Sequence, residues 1–385
     1  MDERPTVLLV GPGGLGGATL DLLVRERWPG QIVVAGRDAD RGSRRANVAR
    51  LAAVRLGFDP DVRFEPMDVR EIAGTATALA RIRPAIVLST ASLQSWWLAD
   101  LLPEEASAPL RRARFGAWLP VHFVLTKKLM EAVKAARTPA IVLTAPFPDV
   151  VNQVLGRLGL APDAGIGNVD EIVPKIELLA ARRLNARPDS IRVLLIGHHA
   201  LEAAAFGRNR GDTVPPHYLR VEKDGLDVTP EVHAEELLLA PCPLSPGPSW
   251  HTLTAACAIR LMRALMSPEP SLRHVPGPHG LPGGYPVWAS RDGISLAEVG
   301  GITLEEAVRL NEASHPFDGV ERVEEDGTVV LEESSAEAMR QTLGYDCLRV
   351  QPCDMEERAW ELLERFRQYA SRHGADVDRL SRLVR

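Results

Sequence analysis

The stretch that most constrains this chain is Thr6 to Arg37, TVLLVGPGGLGGATLDLLVRERWPGQIVVAGR. Val7 to Val10 is a short apolar, β-branched run, and Gly11, Gly13 and Gly16 stand in G-x-G-x-x-G spacing. An amphipathic segment from Leu15 to Arg27 then leads into a second apolar run, Gln31 to Ala35. Strand, glycine turn, helix and parallel strand in this order make a dinucleotide-binding unit. Gly11 makes the tight turn, Gly13 lets the backbone approach a pyrophosphate, and Gly16 lets the helix lie close on the strand. Gly14 and Leu15 stand at the helix N-terminus, whose unpaired N–H groups face the phosphates. A glycine-rich loop without a ligand is the bland alternative, and the flanking strands and helix speak against it.

The end of the second strand bears on the cofactor. NAD-binding chains usually place an acid about 20 residues past the fingerprint to take the ribose hydroxyls. This chain has Gly36 and then Arg37, a missing carboxylate beside a guanidinium, which suits a 2′-phosphate and predicts NADP, with NAD as the alternative. The Ala-Gly-Arg-Asp ending resembles the saccharopine-dehydrogenase-like group of NADP-binding domains. The competing reading makes Arg37 part of a solvated helix start with Arg41, Arg44 and Arg45.

The alternation continues. Asp40 to Gly57 reads as a helix and Val62 to Met67 as a third strand ending in Asp68, a residue that edges the adenine or caps a helix over Arg70 to Ile82. Ala85 to Thr90 is a fourth strand. The small residues after it, Thr90 and Ala91 among them, let the middle of a cofactor pass. Trp96 to Trp118 breaks the rhythm with two prolines and the basic residues Arg111, Arg112 and Arg114, as a lid over a site or as a helix with a charged face. Val121 to Ala136 is a helix, and Ala140 to Thr144 a fifth strand that closes a cofactor domain over residues 1–146. The expected class is α/β, a doubly wound parallel Rossmann sheet followed by an α+β substrate and dimerisation domain.

From residue 140 to 300 the order of segments resembles the second half of lactate and malate dehydrogenases. AIVLTAPFPDVVNQVLGRLGL and GIGNVDEIVPKIELLAARRLNARPDSIRVLLIGHH run strand, proline turn, helix, Asp-bearing helix, then a strand ending in histidine. PSWHTLTAACAIRLMRAL resembles the family's Ser/Thr-rich helix start, and GGYPVWASRDGISL its late strands. The resemblance places His199 in the catalytic position and Asp170 as its carboxylate partner, within a substrate domain over residues 147–301. Three departures stand out: Ala145 where the family has Asn, Val173 where an arginine holds the substrate carboxylate, with Lys175 the nearest base, and Ala200 where a glycine follows the histidine. The 2-hydroxy-acid substrate is therefore not carried over. Hydride transfer to or from a carbinol needs a proton acceptor or donor, and histidine titrates near neutrality. A carboxylate on its far nitrogen would fix the tautomer. The bland readings are a satisfied histidine at a strand end for His199 and a helix cap for Asp170. His198, Trp250, His251, Thr252 and the loop His279 to Tyr285 are weaker candidates for the pocket wall.

The tail, residues 302–385, has no counterpart in that family. It reads as a hairpin turning at Asp326 and Gly327, a helix over Ser335 to Leu343, and a helix over Met355 to Arg372 whose Trp360, Leu363 and Phe366 form a stripe against the body or a partner subunit. A net charge of −6 argues against nucleic acid and anionic membranes as partners. No signal or membrane-spanning run is read, so a cytoplasmic homo-oligomer acting on a small molecule is expected. Cys242, Cys257, Cys347 and Cys353 make no ligand cluster, and neither zinc nor a disulfide is expected. Together these readings predict an NADP-preferring oxidoreductase for a carbonyl/alcohol pair. The alternatives are imine reduction of the saccharopine or opine dehydrogenase type and a dinucleotide-binding protein without turnover.

Overall fold

The computed structural model describes residues 4–207, 213–244 and 247–377. Its centre is a six-stranded parallel sheet of β1 (Thr6–Val10), β2 (Gln31–Gly36), β3 (Val62–Pro66), β4 (Ile86–Ser89), β5 (Ile141–Thr144) and β6 (Ala164–Gly165). The spatial order is β3-β2-β1-β4-β5-β6, that of a Rossmann fold. The inner strands are apolar along their whole length because helices cover both faces. On one face lie α1 (Gly14–Leu23), α2 (Ala39–Arg55) and the later helix His251–Leu265; on the other lie α3 (Ile72–Ile82), α4 (Glu104–Arg112) and α5 (Leu119–Ala136).

The sheet does not stop at Thr144. Two residues of β6 pair with β5, so the break in the sheet falls after Gly165 rather than near residue 146. Helix α1 ends at Leu23, short of Arg27, and the chain leaves it through tighter turns, with Arg25 N–H donating to the Leu22 carbonyl at 3.1 Å and Glu26 N–H to the Leu23 carbonyl at 3.0 Å. Helix α3 starts at Ile72 with Glu71 as its N-cap. Asp68 instead closes a turn, accepting from the backbone N–H of Arg70 at 3.0 Å. Between β4 and α5, the segment Trp96 to Trp118 is neither one helix nor a loose lid. It holds a 3-10 turn, α4 and a second 3-10 turn, and buries Trp97, Leu98, Ala106 and Leu110.

After α6 (Pro148–Arg157) and α7 (Val169–Arg183) come two antiparallel three-stranded sheets. The first contains β7 (Ile191–Ile196), β8 (Tyr218–Lys223) and β9 (Leu226–Asp227); the second runs over Ser271–Pro276, Gly284–Ser290 and Gly293–Leu296. The tail forms the hairpin Val320–Val323 and Val329–Leu331, whose turn is closed by Thr328 N–H donating to Asp326 at 2.8 Å.

The tail is no appendage. Val320, Val329, Leu331, Met339, Leu362 and Phe366 join Leu8, Val33 and Val87 in one core. Helix Met355–Arg372 packs Phe366 edge-on against Trp118 at 5.3 Å, and the Tyr369 hydroxyl donates to the carbonyl of Ala106 at 2.9 Å. Its buried stripe is Ala359, Leu362, Leu363, Phe366 and Ala370, whereas Trp360 is 41% exposed. A row spaced by threes drifts about 60° per step around a helix, which carries Trp360 off the packed face. The four cysteines are free thiols. No described helix is long and apolar enough to cross a membrane.

Candidate active site

The carboxyl ends of the parallel strands open into a cavity of about 1290 Å³ that runs from the glycine turn to His199. Its nucleotide end is lined by Gly11, Gly13, Gly14 and Leu15 with Arg37 and Asp68, and its middle by Thr90 and Ala91. Gly11 has φ +90°, a conformation open to glycine, and Thr90 ties the turn to β4 by donating its hydroxyl to the Gly11 carbonyl at 2.7 Å. A Cβ on Gly13 would meet nothing within 4 Å, because it would project into the cavity. Gly16 does not line the cavity. A Cβ there would sit 2.1 Å from the Gly11 carbonyl oxygen, so this glycine serves the contact between helix and strand.

These residues fit a dinucleotide. The open face at Gly13 is a cradle that a side chain would fill, and the N-terminus of α1 faces it. Around the nucleotide end stand Arg37, Arg41 and Arg70. Asp38 also lines this end, where its carboxylate caps α2 by accepting from the Arg41 N–H at 3.0 Å. Asp68 is held by the Arg70 guanidinium at 2.5 Å, which keeps its carboxyl below the usual carboxylate range.

At the far end His199 follows β7, where Gly197 is locked by an antiparallel bridge to Gly284. The His199 backbone N–H donates to Asp149 at 2.8 Å, and its Nδ1 lies 2.7 Å from Oδ2 of Asp318. The carboxylate partner is therefore Asp318, from the tail, and not Asp170. Burial works against a charged His199, but the Asp318 carboxylate, with Glu202 and Asp149 beyond it, outweighs burial and raises the imidazole to about 10. Asp318 is buried too, and the charge of His199 with hydrogen bonds from His198 and His199 holds it ionised well below the usual range. With Nδ1 engaged, Nε2 is left for the cavity, onto which about a quarter of the side chain opens.

Asp170 lies elsewhere. It is buried on α7 beside Arg260 at 3.9 Å and Cys257, and burial raises its carboxyl to about 6. Successive residues point about 100° apart on a helix, and the register of α7 turns Glu171 to the cavity instead. Glu171 accepts from Trp250 Nε1 and from the Thr254 hydroxyl at 2.5 Å, and burial pushes it up to about 7. Val173 is sealed in an apolar cluster, and the Lys175 ammonium donates to the carbonyls of Ala205 and Leu238, so neither presents a cation to the cavity.

Of the weaker candidates, Trp250 and His251 line the cavity, while Thr252 and the loop from His279 to Tyr285 do not. His198 sits behind the site with Nδ1 3.3 Å from Asp318. Phe115, His122 and Phe147 complete the wall around His199, with Phe115 4.8 Å and Phe147 5.7 Å from its ring. None of these, nor Asp318, carries a sequence signal. Asp318 stands 119 residues from its histidine, and the pair is made only by the packing of the tail.

No protein-family profile and no curated protein matches the chain. Solved structures do. Lactate dehydrogenase from Eimeria maxima, solved with NADH and oxamate, is 14% identical with a TM-score of 0.54, over 82% of this chain and 92% of that one. Malate dehydrogenase from Cryptosporidium parvum is 14% identical with a TM-score of 0.55, over 82% and 96%. Malate dehydrogenase from Aeropyrum pernix is 16% identical with a TM-score of 0.52, over 81% and 96%. At such identities the likeness is one of fold: the chain is an α/β protein with a Rossmann sheet and a second, α+β part arranged as in these dehydrogenases.

Proposed function

We propose that this protein is a nicotinamide-dinucleotide oxidoreductase acting on a small carbonyl/alcohol pair, with His199 as its acid and base and Asp318 as the carboxylate that holds His199. The observation that carries this reading is one cavity joining a glycine turn to a histidine–aspartate pair. A bound reduced nicotinamide supplies the hydride for the carbonyl carbon. In that direction His199, charged at neutral pH, gives the Nε2 proton to the carbonyl oxygen, and Asp318 stabilises the imidazolium until the proton leaves. In the reverse direction the neutral imidazole takes the hydroxyl proton. The likeness to dehydrogenases supports the same reading.

NADP is the preferred cofactor in this proposal. Arg37, Arg41 and Arg70 place three guanidinium groups at the nucleotide end, where a 2′-phosphate is matched by arginine rather than acid. The test is a fluorescence titration with NADPH and NADH, followed by a screen for NADPH oxidation over aldehydes, ketones and imines. Saturable NADPH binding with turnover of a carbonyl is expected. Binding without turnover on any compound makes the chain a dinucleotide-binding protein, and turnover confined to imines moves it to the saccharopine or opine dehydrogenase type of reaction.

A further inference from the structure

The cavity wall holds a histidine that this reading does not use. His122, on α5, is 3% exposed, lines the cavity, and has no hydrogen-bond partner at either ring nitrogen among the described residues. Burial, reinforced by the charge of His199, lowers it to about 3 and keeps it neutral. A neutral imidazole carries one donor and one acceptor, and here both are idle. Buried polar groups are nearly always satisfied, so an idle pair in the wall of a ligand cavity points to a ligand that completes it.

Its surroundings define that ligand. The Phe115 ring stacks flat on His122 at 5.2 Å and lies 4.8 Å from the ring of His199, so the two imidazoles flank one aromatic side chain. Phe147 closes the same compartment, 4.7 Å from Phe115. Phe115 sits in the short stretch between α4 and the following 3-10 turn and lines the cavity beside His122. The His199 imidazolium and the Asp318 carboxylate offset each other's charge. Glu171 and Glu202 line the cavity, while Asp149 and Asp318 stand behind it. Of the arginines on the cavity wall, Arg111 is paired with Glu104 and Ser107, and Arg114 donates to the carbonyl of Pro316. Neutral His122 has no counter-charge to offer a substrate carboxylate that leaves water, whereas an uncharged apolar body meets the rings of Phe115 and Phe147.

We propose that the substrate is an uncharged carbonyl compound carrying a second neutral oxygen within a few bonds of the reacting one, such as a 2-oxo or 3-oxo ester, and that His122 recognises that oxygen. This rests on the oxidoreductase reading above. The reacting carbon gains the hydride and its two electrons from the reduced nicotinamide, the oxygen gains the His199 proton, and the product is the hydroxy ester with oxidised cofactor. His122 exchanges no proton; it donates a hydrogen bond to the second oxygen and orients the carbonyl.

The experiment compares methyl esters of 2-oxo and 3-oxo acids with their free acids and with alkyl ketones of the same length that lack the second oxygen. In the wild type the best ester is expected to exceed its acid at least about 10-fold in kcat/KM, the lower end of what a single pocket contact discriminates. His122→Phe is expected to lower kcat/KM for that ester about 10-fold or more and for the ketone less than about 3-fold, with His122→Gln recovering part of the loss. Acids turned over as fast as their esters overturn the proposal, and this arm needs no variant. Equal losses on ester and ketone in both variants, with unchanged melting temperature, also overturn it. No turnover of any carbonyl despite tight NADPH binding overturns the carbonyl/alcohol reading itself, and the proposal with it.

Discussion

Asp318 sets the protonation state of His199, so its removal has a readout independent of any substrate. Asp318→Asn should drop the His199 pKa from about 10 toward or below the ordinary value near 6.5, followed by NMR of the imidazole protons. Asp170→Asn should leave that titration in place. Turnover should fall about 100-fold or more in Asp318→Asn, the scale of a disabled general acid. The pair also shapes stability against pH. His199 has a folded pKa above its unfolded value, so its contribution is complete below about 6.5 and is lost as pH rises toward about 10. Asp318 has a depressed folded pKa, so its contribution is present above about 3.9 and is lost in acid. Melting temperatures across alkaline pH should decline less steeply in Asp318→Asn than in the wild type. A second contrast separates two glycines of one motif. Gly16→Ala should destabilise the fold by about 1–3 kcal/mol, since its Cβ would overlap the Gly11 carbonyl, while Gly13→Val should keep the melting temperature and lose nucleotide binding. If both behave alike, the division of roles is wrong.

At the scale of elements, the proposed preference for NADP rests on the turn after β2 together with the turn after β3. Arg37→Gln combined with Arg70→Gln should weaken NADPH about 10-fold or more and leave NADH nearly unchanged, measured by fluorescence titration. A parallel loss for both cofactors would assign these arginines to the general field of the cavity. The same scale shows what the sequence could disclose. The first five strands and helices α1, α2, α3 and α5 are legible because glycine turns, apolar runs and helical periods are local signals, whereas α4, inside Trp96 to Trp118, is not. The wall of the candidate site is legible where it uses such signals: the glycine turn, Arg37 and the histidine that follows β7. It is not legible where one helical step decides, because Asp170 and Glu171 are neighbours in sequence and only the packing of α7 shows which one meets the cavity. Trp360 is the same kind of case, a large apolar residue one step off the packed face.

At the scale of the molecule, the partner of His199 comes from a hairpin and helix unit whose apolar side completes the core of the nucleotide sheet. Phe366→Ala should cost about 3–5 kcal/mol, a large fraction of the stability of a chain like this, and chemical denaturation should show a single transition in which cofactor binding and tail packing are lost together. A separate early transition of the tail would contradict the shared core.

That shared core has a consequence during synthesis. The Tyr369 hydroxyl meets Ala106 across 263 residues, and contacts of such separation form late and slowly. A nascent chain that already carries the whole glycine turn therefore holds an open apolar face until helix Met355–Arg372 leaves the ribosome. The tail that covers this apolar face also carries Asp318, so the proposed pair with His199 is completed in the same folding step.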